Sequence, residues 1–567
     1  MLDCTAVMIP LALFLAALAA RGLAAAIFAD PAYPDSFYYV NVADALAAGQ
    51  GFSIDTIWNF VDVGGRLPAD PGLPIPSNAH WMPLASMIQV PFILALGPSA
   101  LAHGLPFWLL GAAVAPLVYW MGVDAGLGRF AATAAGVLAV APGALLPFLA
   151  QPDNFALFML LGALALWACA RGLRGDRRSF VLGGLVVGLA TLSRNDGLLL
   201  GIPFALAFLV ERWRLVRGGG ASVVDRLRAP GAIGWSAAIG CLGLFLLVMA
   251  PWWLRQLAVF GSLSPSASSG RILWITSYDQ LWSITGETTL ASFIGQGIGP
   301  LLASRVGGLG AAFGIFASVP LLIFLAPFTL LAAVVRRRDP AFIPWIVYAV
   351  VLFAFSGILF AVHVAQGTFL HSAVALVPHA YLLAVAGIGV AVRWMAARRP
   401  AWDAPRATRN FTIILVSVAV LFSAVATWRV LGTWSAEEAL RRPIAAALAD
   451  DEAGGTVGVR PDDVVMSADP GAYRFLAGRA GIVTPNDPLP VVEDVLRAYG
   501  ARWLVLERAH VVPSMAPILL GETRPAWLSA PILTSGPVEA SPTGGPASDS
   551  IVLYAVCLEP GDTRCSP

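Results

Sequence analysis

Long apolar runs alternate with short polar connectors over the first 431 residues, after which the pattern changes. Runs of about 20 apolar residues, enough to cross a bilayer, fall near 6–28, 101–122, 130–149, 154–170, 232–254, 309–335, 341–362, 370–394 and 410–431. Two shorter runs between 180 and 211, parted by SRNDG at 193–197, bring the expected crossings to eleven. Residues 83–97, PLASMIQVPFILALG, are short for a span and carry Pro91, so an interfacial or re-entrant helix is expected there. From Trp434 the runs shorten to strand length, VVMSA, AGIVT, RWLVLE and SIVLYAVCL, around a helical PVVEDVLRAYG. The pattern predicts a polytopic α-helical membrane domain over 1–431, with a first outer loop at 29–100, and an extracytoplasmic α/β domain over 432–567.

The least hydrophobic stretch near the start is PDSFYYVNVADALAAGQGF, residues 34–52. Val42, Ala43 and Leu46 follow Tyr39 at helical spacing, so this helix is expected to lie on the membrane surface. Asn41, Asp44 and Gln50 would face solvent, and Gly49 and Gly51 would end the helix. Asp35 thereby stands where lipid meets water.

Charge fixes the expected orientation. Arginines cluster at Arg171–Arg178, Arg212–Arg228, Arg336–Arg338 and Arg393–Arg409, which places those connectors and the N-terminus in the cytoplasm, as in a bacterial-type inner membrane protein. Arg21, in the outer half of the first span, is expected to snorkel or to touch a lipid phosphate. Charged residues make up only 12% of the chain and the net charge is +1, so no basic stripe exists to track nucleic acid. Cys557 and Cys565 both fall in the terminal domain, where an oxidising compartment could join them or leave two free thiols.

Several motifs sit at the outer ends of these spans. Asp35 follows the first span and precedes a G-x-G-F segment, AHWMPL comes before the second, and PDN stands at the mouth of the fourth. GLATLSRNDGLLL, PWWLRQLAVFGSLSP and GTFLHS follow further on. Together they resemble the GT-C superfamily of membrane glycosyltransferases, in particular the group that takes sugars from polyprenyl phosphates to proteins or glycolipids. The resemblance implies a helical bundle with a soluble tail, roofed by the first outer loop. It also implies transfer of a sugar from a polyprenyl-phosphate donor to a glycan, lipid or protein acceptor.

In that family pattern Asp35 matches the general base acting on the acceptor hydroxyl, although its side chain also suits an N-cap. Asp153, at the start of the fourth span, could support Asp35, bind the acceptor or hold a divalent cation, or simply open its helix. The sequence leaves metal dependence open. Arg194 is the first candidate for the leaving phosphate, with Asp196 to hold it; the same pair would also serve as a salt-bridged turn. Arg255 and Arg66 are second candidates for the phosphate. His80, His371 and Tyr39 are placed at the same interface as supporting or acceptor-binding residues. A flippase or carrier, or an inactive scaffold, remains the rival reading, although no internal repeat is evident.

Overall fold

The structure is a computed structural model that describes residues 4–217, 222–264, 272–399, 401–450, 458–536, 550–559 and 563–565. The membrane domain comprises Cys4–Ile27 (α1), Pro34–Ala47 (α2), Ala100–Asp124 (α3), Arg129–Val140 (α4), Asn154–Leu173 (α5), Arg177–Ser193 (α6), Gly201–Arg217 (α7) and Gly234–Phe260 (α8). Beyond these come Ile298–Ser318 (α9), Ala326–Val335 (α10), Ile343–Ala354 (α11), Val377–Ala396 (α12) and the 46-residue Ala404–Ala449 (α13). Among the described residues seven helices are long and apolar enough to cross a bilayer, or eight if the bent pair 129–140 and 143–150 counts as one. The other expected crossings are shorter. Helices α6 and α7 have 17 residues each, about 26 Å of rise, and residues 84–96 form two short helices in place of a span.

The expected span at 309–335 is broken instead. It stops at Ser318, turns through left-handed Leu322 and Ile323, and restarts at Ala326. Within a membrane the freed backbone groups need partners, and a second break supplies them. Helix α4 ends at Val140, and Ala144 N–H past its break donates to Val319 O at 3.0 Å. Gly143 holds a left-handed φ of 65° there, and a Cβ on it would lie 2.2 Å from Val319 O. Ser423 of α13 accepts from Gly143 N–H and donates to Ala141 O.

Arg21 completes this junction. The expectation that it reaches a lipid phosphate is overturned, because the side chain is fully buried and donates to Ala139 O and Val140 O, the orphan carbonyls at the end of α4. Gly111 leaves the room, since a Cβ there would stand 2.7 Å from Arg21 Nε.

Helix α2 departs from the surface-lying helix expected of it. Phe37, Tyr38, Tyr39, Val40, Val42 and Ala43 are all buried, so protein rather than lipid covers its apolar face. The segment 84–96 holds it from one side: Ser86 Oγ and Gln89 Nε2 both donate to Tyr39 O. On another side it packs on the short helix Pro470–Ala477 (α14), with Asn41 Nδ2 donating to Gly471 O at 3.1 Å.

The four strand runs read in the tail all form, as Val464–Ser467 (β4), Gly481–Val483 (β5), Ala501–Glu507 (β6) and Ile551–Ala555 (β8), with Leu533–Ser535 (β7) added. Three short strands, β1 (Ser53–Ile54), β2 (Thr56–Ile57) and β3 (Ile75–Pro76), belong to the first loop. The sheet runs β2-β5-β4-β6-β8-β7, with β2 parallel to β5 through Thr56 opposite Gly481 and Ile57 opposite Ile482. The sheet domain and the first loop are therefore one body. Helix α13 also runs unbroken through residue 432, where a domain boundary was expected. Cys557 and Cys565 are joined in a disulfide.

Arg21→Leu removes both donors while leaving the α4 carbonyls buried, at a cost of about 1–3 kcal/mol for each group left without a partner. The purified variant should unfold several degrees below the parent; an unchanged unfolding temperature would show that the junction does not need Arg21.

Candidate active site

The ends of α5 and α6, the first loop and the segment before α12 converge on a cavity of about 360 Å³. Asp35, Tyr39, His80, Arg194, Asp196 and His371, six of the residues singled out from sequence, line it.

Asp35 is free to point inward because it does not cap its helix. The N-cap of α2 is Tyr33, and Ser36 Oγ accepts from the Ala32 and Tyr33 N–H groups. The Asp35 side chain retains 23% exposure to the cavity, 3.7 Å from His371 Nε2. Asp153 is wholly buried behind the histidine, with Oδ2 3.7 Å from His371 Nδ1. It does cap α5, accepting from Asn154 N–H, and it accepts from the Tyr33 hydroxyl at 2.9 Å.

Asn154 ties the group together, contacting His371 Nδ1 at 3.0 Å and donating to the Tyr39 hydroxyl at 3.1 Å. The imidazole stacks on Phe155 with ring centroids 3.8 Å apart. Burial, with the Asp153 charge next in weight, raises the Asp35 carboxyl far above the usual carboxylate range, and burial raises Asp153 as well.

The cavity holds one cation close to these acids. Arg194 Nε donates to Asp196 at 3.0 Å and its Nη2 donates to Ser372 Oγ at 3.3 Å, while Ser372 in turn donates to Asp196. The guanidinium is thereby fixed from two sides. SRNDG is a genuine break between α6 and α7: Arg194 has extended backbone, and a 3-10 turn follows it.

Arg66 and Arg255 do not join this group. Arg66 is exposed on the first loop. Arg255 donates to Ser77 O at 2.8 Å and lies over the rings of Phe52, Trp252 and Phe260, so it clamps the first loop onto α8.

The sequence offered no signal for much of the rim. Trp58, Trp81, Tyr278 and His363 line the cavity and are linked ring to ring through Trp282: Trp58 to Trp81 at 4.3 Å, Tyr278 to Trp282 at 5.0 Å and Tyr278 to His363 at 5.7 Å. His80 stacks against Trp58, and burial pushes its pKa down to about 4, leaving it neutral at pH 7. Phe355 and Ser356 enter the lining from a π-turn at the end of α11, an irregularity that no helical pattern announces. Leu198 lines the cavity while half exposed, so the space opens at the α6–α7 turn on an apolar edge.

Asp35, Asp153 and His371 each offer a ligand atom within 4.8 Å of the others. One buried carboxylate, one half-buried carboxylate and one imidazole are a donor set suited to a divalent cation such as Mn²⁺ or Zn²⁺. They fit one on charge as well, because Arg194, the nearby cation, is already paired with Asp196.

No family model matches the sequence, and no curated protein matches it. Solved structures do match. ArnT from Cupriavidus metallidurans bound to undecaprenyl phosphate is similar with a TM-score of 0.54 at 14% identity, over 96% of this chain and 97% of that one. The chain carries the GT-C fold. Its apo ArnT counterpart gives 0.52 at 15% over the same shares. An Archaeoglobus fulgidus oligosaccharyltransferase, solved with Zn and sulfate, gives 0.50 at 13% over 87% of this chain and 68% of that one. Likeness at this identity shows the fold alone, so function has to be argued from the site itself.

A carboxyl whose pKa is higher folded than unfolded favours folding only while protonated, and that benefit is lost as pH rises from the unfolded value near 4 toward the folded one. Asp35→Asn should therefore unfold at a higher temperature than the parent at pH 7–8 without divalent cation, with the gap closing near pH 4. Equal unfolding temperatures across that range would contradict the buried acid pair.

Proposed function

We propose that this protein is an inverting glycosyltransferase that moves a sugar from a polyprenyl-phosphate donor to an acceptor hydroxyl at the outer face of the membrane. The observation that carries this reading is one cavity holding an unsequestered carboxylate, Asp35, and a positioned guanidinium, Arg194, behind an aromatic rim and beside an apolar opening. Each part answers to one part of a lipid-linked sugar. Leu198 marks where the prenyl chain enters, Arg194 meets the phosphate, and Trp58 and Trp81 offer faces for the sugar. The ArnT structure, bound to undecaprenyl phosphate, supports a donor of that class.

The chemistry is one displacement. The acceptor oxygen attacks C1 of the sugar as the C1–O bond to phosphate breaks, and its proton passes to Asp35. Because attack and departure take opposite faces, the anomeric centre inverts. Asp35, with its raised pKa, is a stronger base than an ordinary carboxylate once it is ionised. Arg194 offsets the charge growing on the leaving phosphate, without reorganising, since Asp196 and Ser372 already hold it. Asp35, Asp153 and His371 would hold a divalent cation, which when bound supplies Lewis-acid stabilisation to phosphate oxygens. The Zn in the archaeal oligosaccharyltransferase structure supports testing for one.

The arginine clusters at the opposite helix ends and the disulfide in the sheet domain support a cytoplasmic N-terminus and an extracytoplasmic sheet domain in a bacterial-type inner membrane.

The test is transfer of radiolabelled sugar from a panel of polyprenyl-phosphate donors in membranes, comparing the parent with Asp35→Asn at equal abundance. Transfer should fall at least about 100-fold in the variant, and unchanged transfer would remove Asp35 from the chemistry.

A further inference from the structure

One wall of the cavity is a connector between α8 and α9 that contributes Ile272, Tyr278 and Leu281. Among its described residues, from Ile272 onward, it has a 3-10 turn at Tyr278–Leu281 and a six-residue helix at Leu290–Gly295, with Ser283–Thr285 between them. The stretch Ser283–Thr285 is held by Asp487 of the sheet domain, which is 2% exposed and sits between β5 and the helix Leu489–Ala498. Four donors from the connector converge on that carboxylate. Ser283 Oγ donates at 2.8 Å, Ile284 N–H at 2.8 Å and Thr285 N–H at 3.2 Å, and the Thr285 hydroxyl also donates. Next to it, Asn486 N–H donates to Trp282 O at 3.2 Å.

The knot follows directly on the aromatic residues of the rim. Trp282 lies edge-on to both Tyr278 and Trp58, and Trp58 itself follows β2, the first-loop strand paired with β5. The end of β5 thus reaches both sides of the cavity, one through backbone pairing and the other through Asp487.

We propose that Asp487 is a positioning residue through which the sheet domain holds the Tyr278–Leu281 wall against the donor. It touches no reacting atom. Its loss would free this wall of the cavity and leave Asp35 and Arg194 in place, so the effect should fall on KM for the donor rather than on kcat. The kinetic part rests on the transferase reading above; the structural part does not.

The test is hydrogen exchange together with donor kinetics on the full-length protein, for Asp487→Ala and for the connector-side double variant Ser283→Ala/Thr285→Val. Amides of 278–289 should exchange about tenfold faster or more in both, consistent with the loss of several bonds to a charged acceptor. KM for the donor should rise about tenfold with kcat within about twofold, while β4 and β6 stay protected. Asp487→Asn, which keeps one carbonyl acceptor, should fall between Asp487→Ala and the parent. Unchanged exchange in the double variant, or a loosened connector with unchanged KM, would overturn the proposal. If β4 and β6 lose protection in Asp487→Ala, the double variant, which leaves the sheet domain untouched, decides. Absence of transfer by the parent itself would instead sink the transferase reading, and the exchange comparison would still decide the latch.

Discussion

Two carboxylates taken out of water within reach of one imidazole are the constraint around which this structure is arranged. Neither is offset by a dedicated arginine: Arg194 is paired with Asp196, and the His371 nitrogens stand 3.7 Å from Asp35 and from Asp153. Such a site is costly to bury and keeps its geometry only if the elements that carry it cannot relax. Helix α2 is accordingly clamped by the segment 84–96 at Tyr39 O, by Asn154 at the Tyr39 hydroxyl and by Gly471 of the sheet domain at Asn41. The strain of the acids and the enclosure of α2 are two aspects of one solution.

The same logic of satisfied backbone governs the membrane part. Where α4 and the 298–335 segment break, the freed groups find Val319, Ser423 and Arg21 rather than water. These breaks bring non-helical backbone into the bundle with several of its freed groups paired. The third irregularity, the π-turn after α11, lies in the cavity wall itself and turns Phe355 and Ser356 into it.

The sequence disclosed residues that line the cavity better than it disclosed the architecture. Asp35, Arg194, Asp196 and His371 were legible because ionisable residues at the ends of apolar runs stand out against a chain with so few charges. The strands of the tail were legible from run length. Lost were features that depend on pairing over distance. Nothing in Ser53–Ile57 shows that Thr56 and Ile57 complete a sheet with residues more than 400 positions away. Arg21 read as snorkelling because its partners, Ala139 and Val140, are orphaned only by a break in another helix. Arg255 read as a phosphate ligand because its sequence neighbours cannot reveal that Ser77 O already holds it. The surface reading of α2 failed for a related reason: helical periodicity identifies an apolar face but not whether lipid or protein covers it.

The most direct measurement is a structure of the Asp35→Asn protein, which should bind but not turn over, with a polyprenyl-phosphate sugar. The account predicts the phosphate against Arg194, the prenyl chain leaving past Leu198 and the sugar against the aromatic rim at Trp58 and Trp81, with C1 open toward residue 35. A phosphate bound at Arg255 or Arg66, or a sugar outside the cavity, would contradict it.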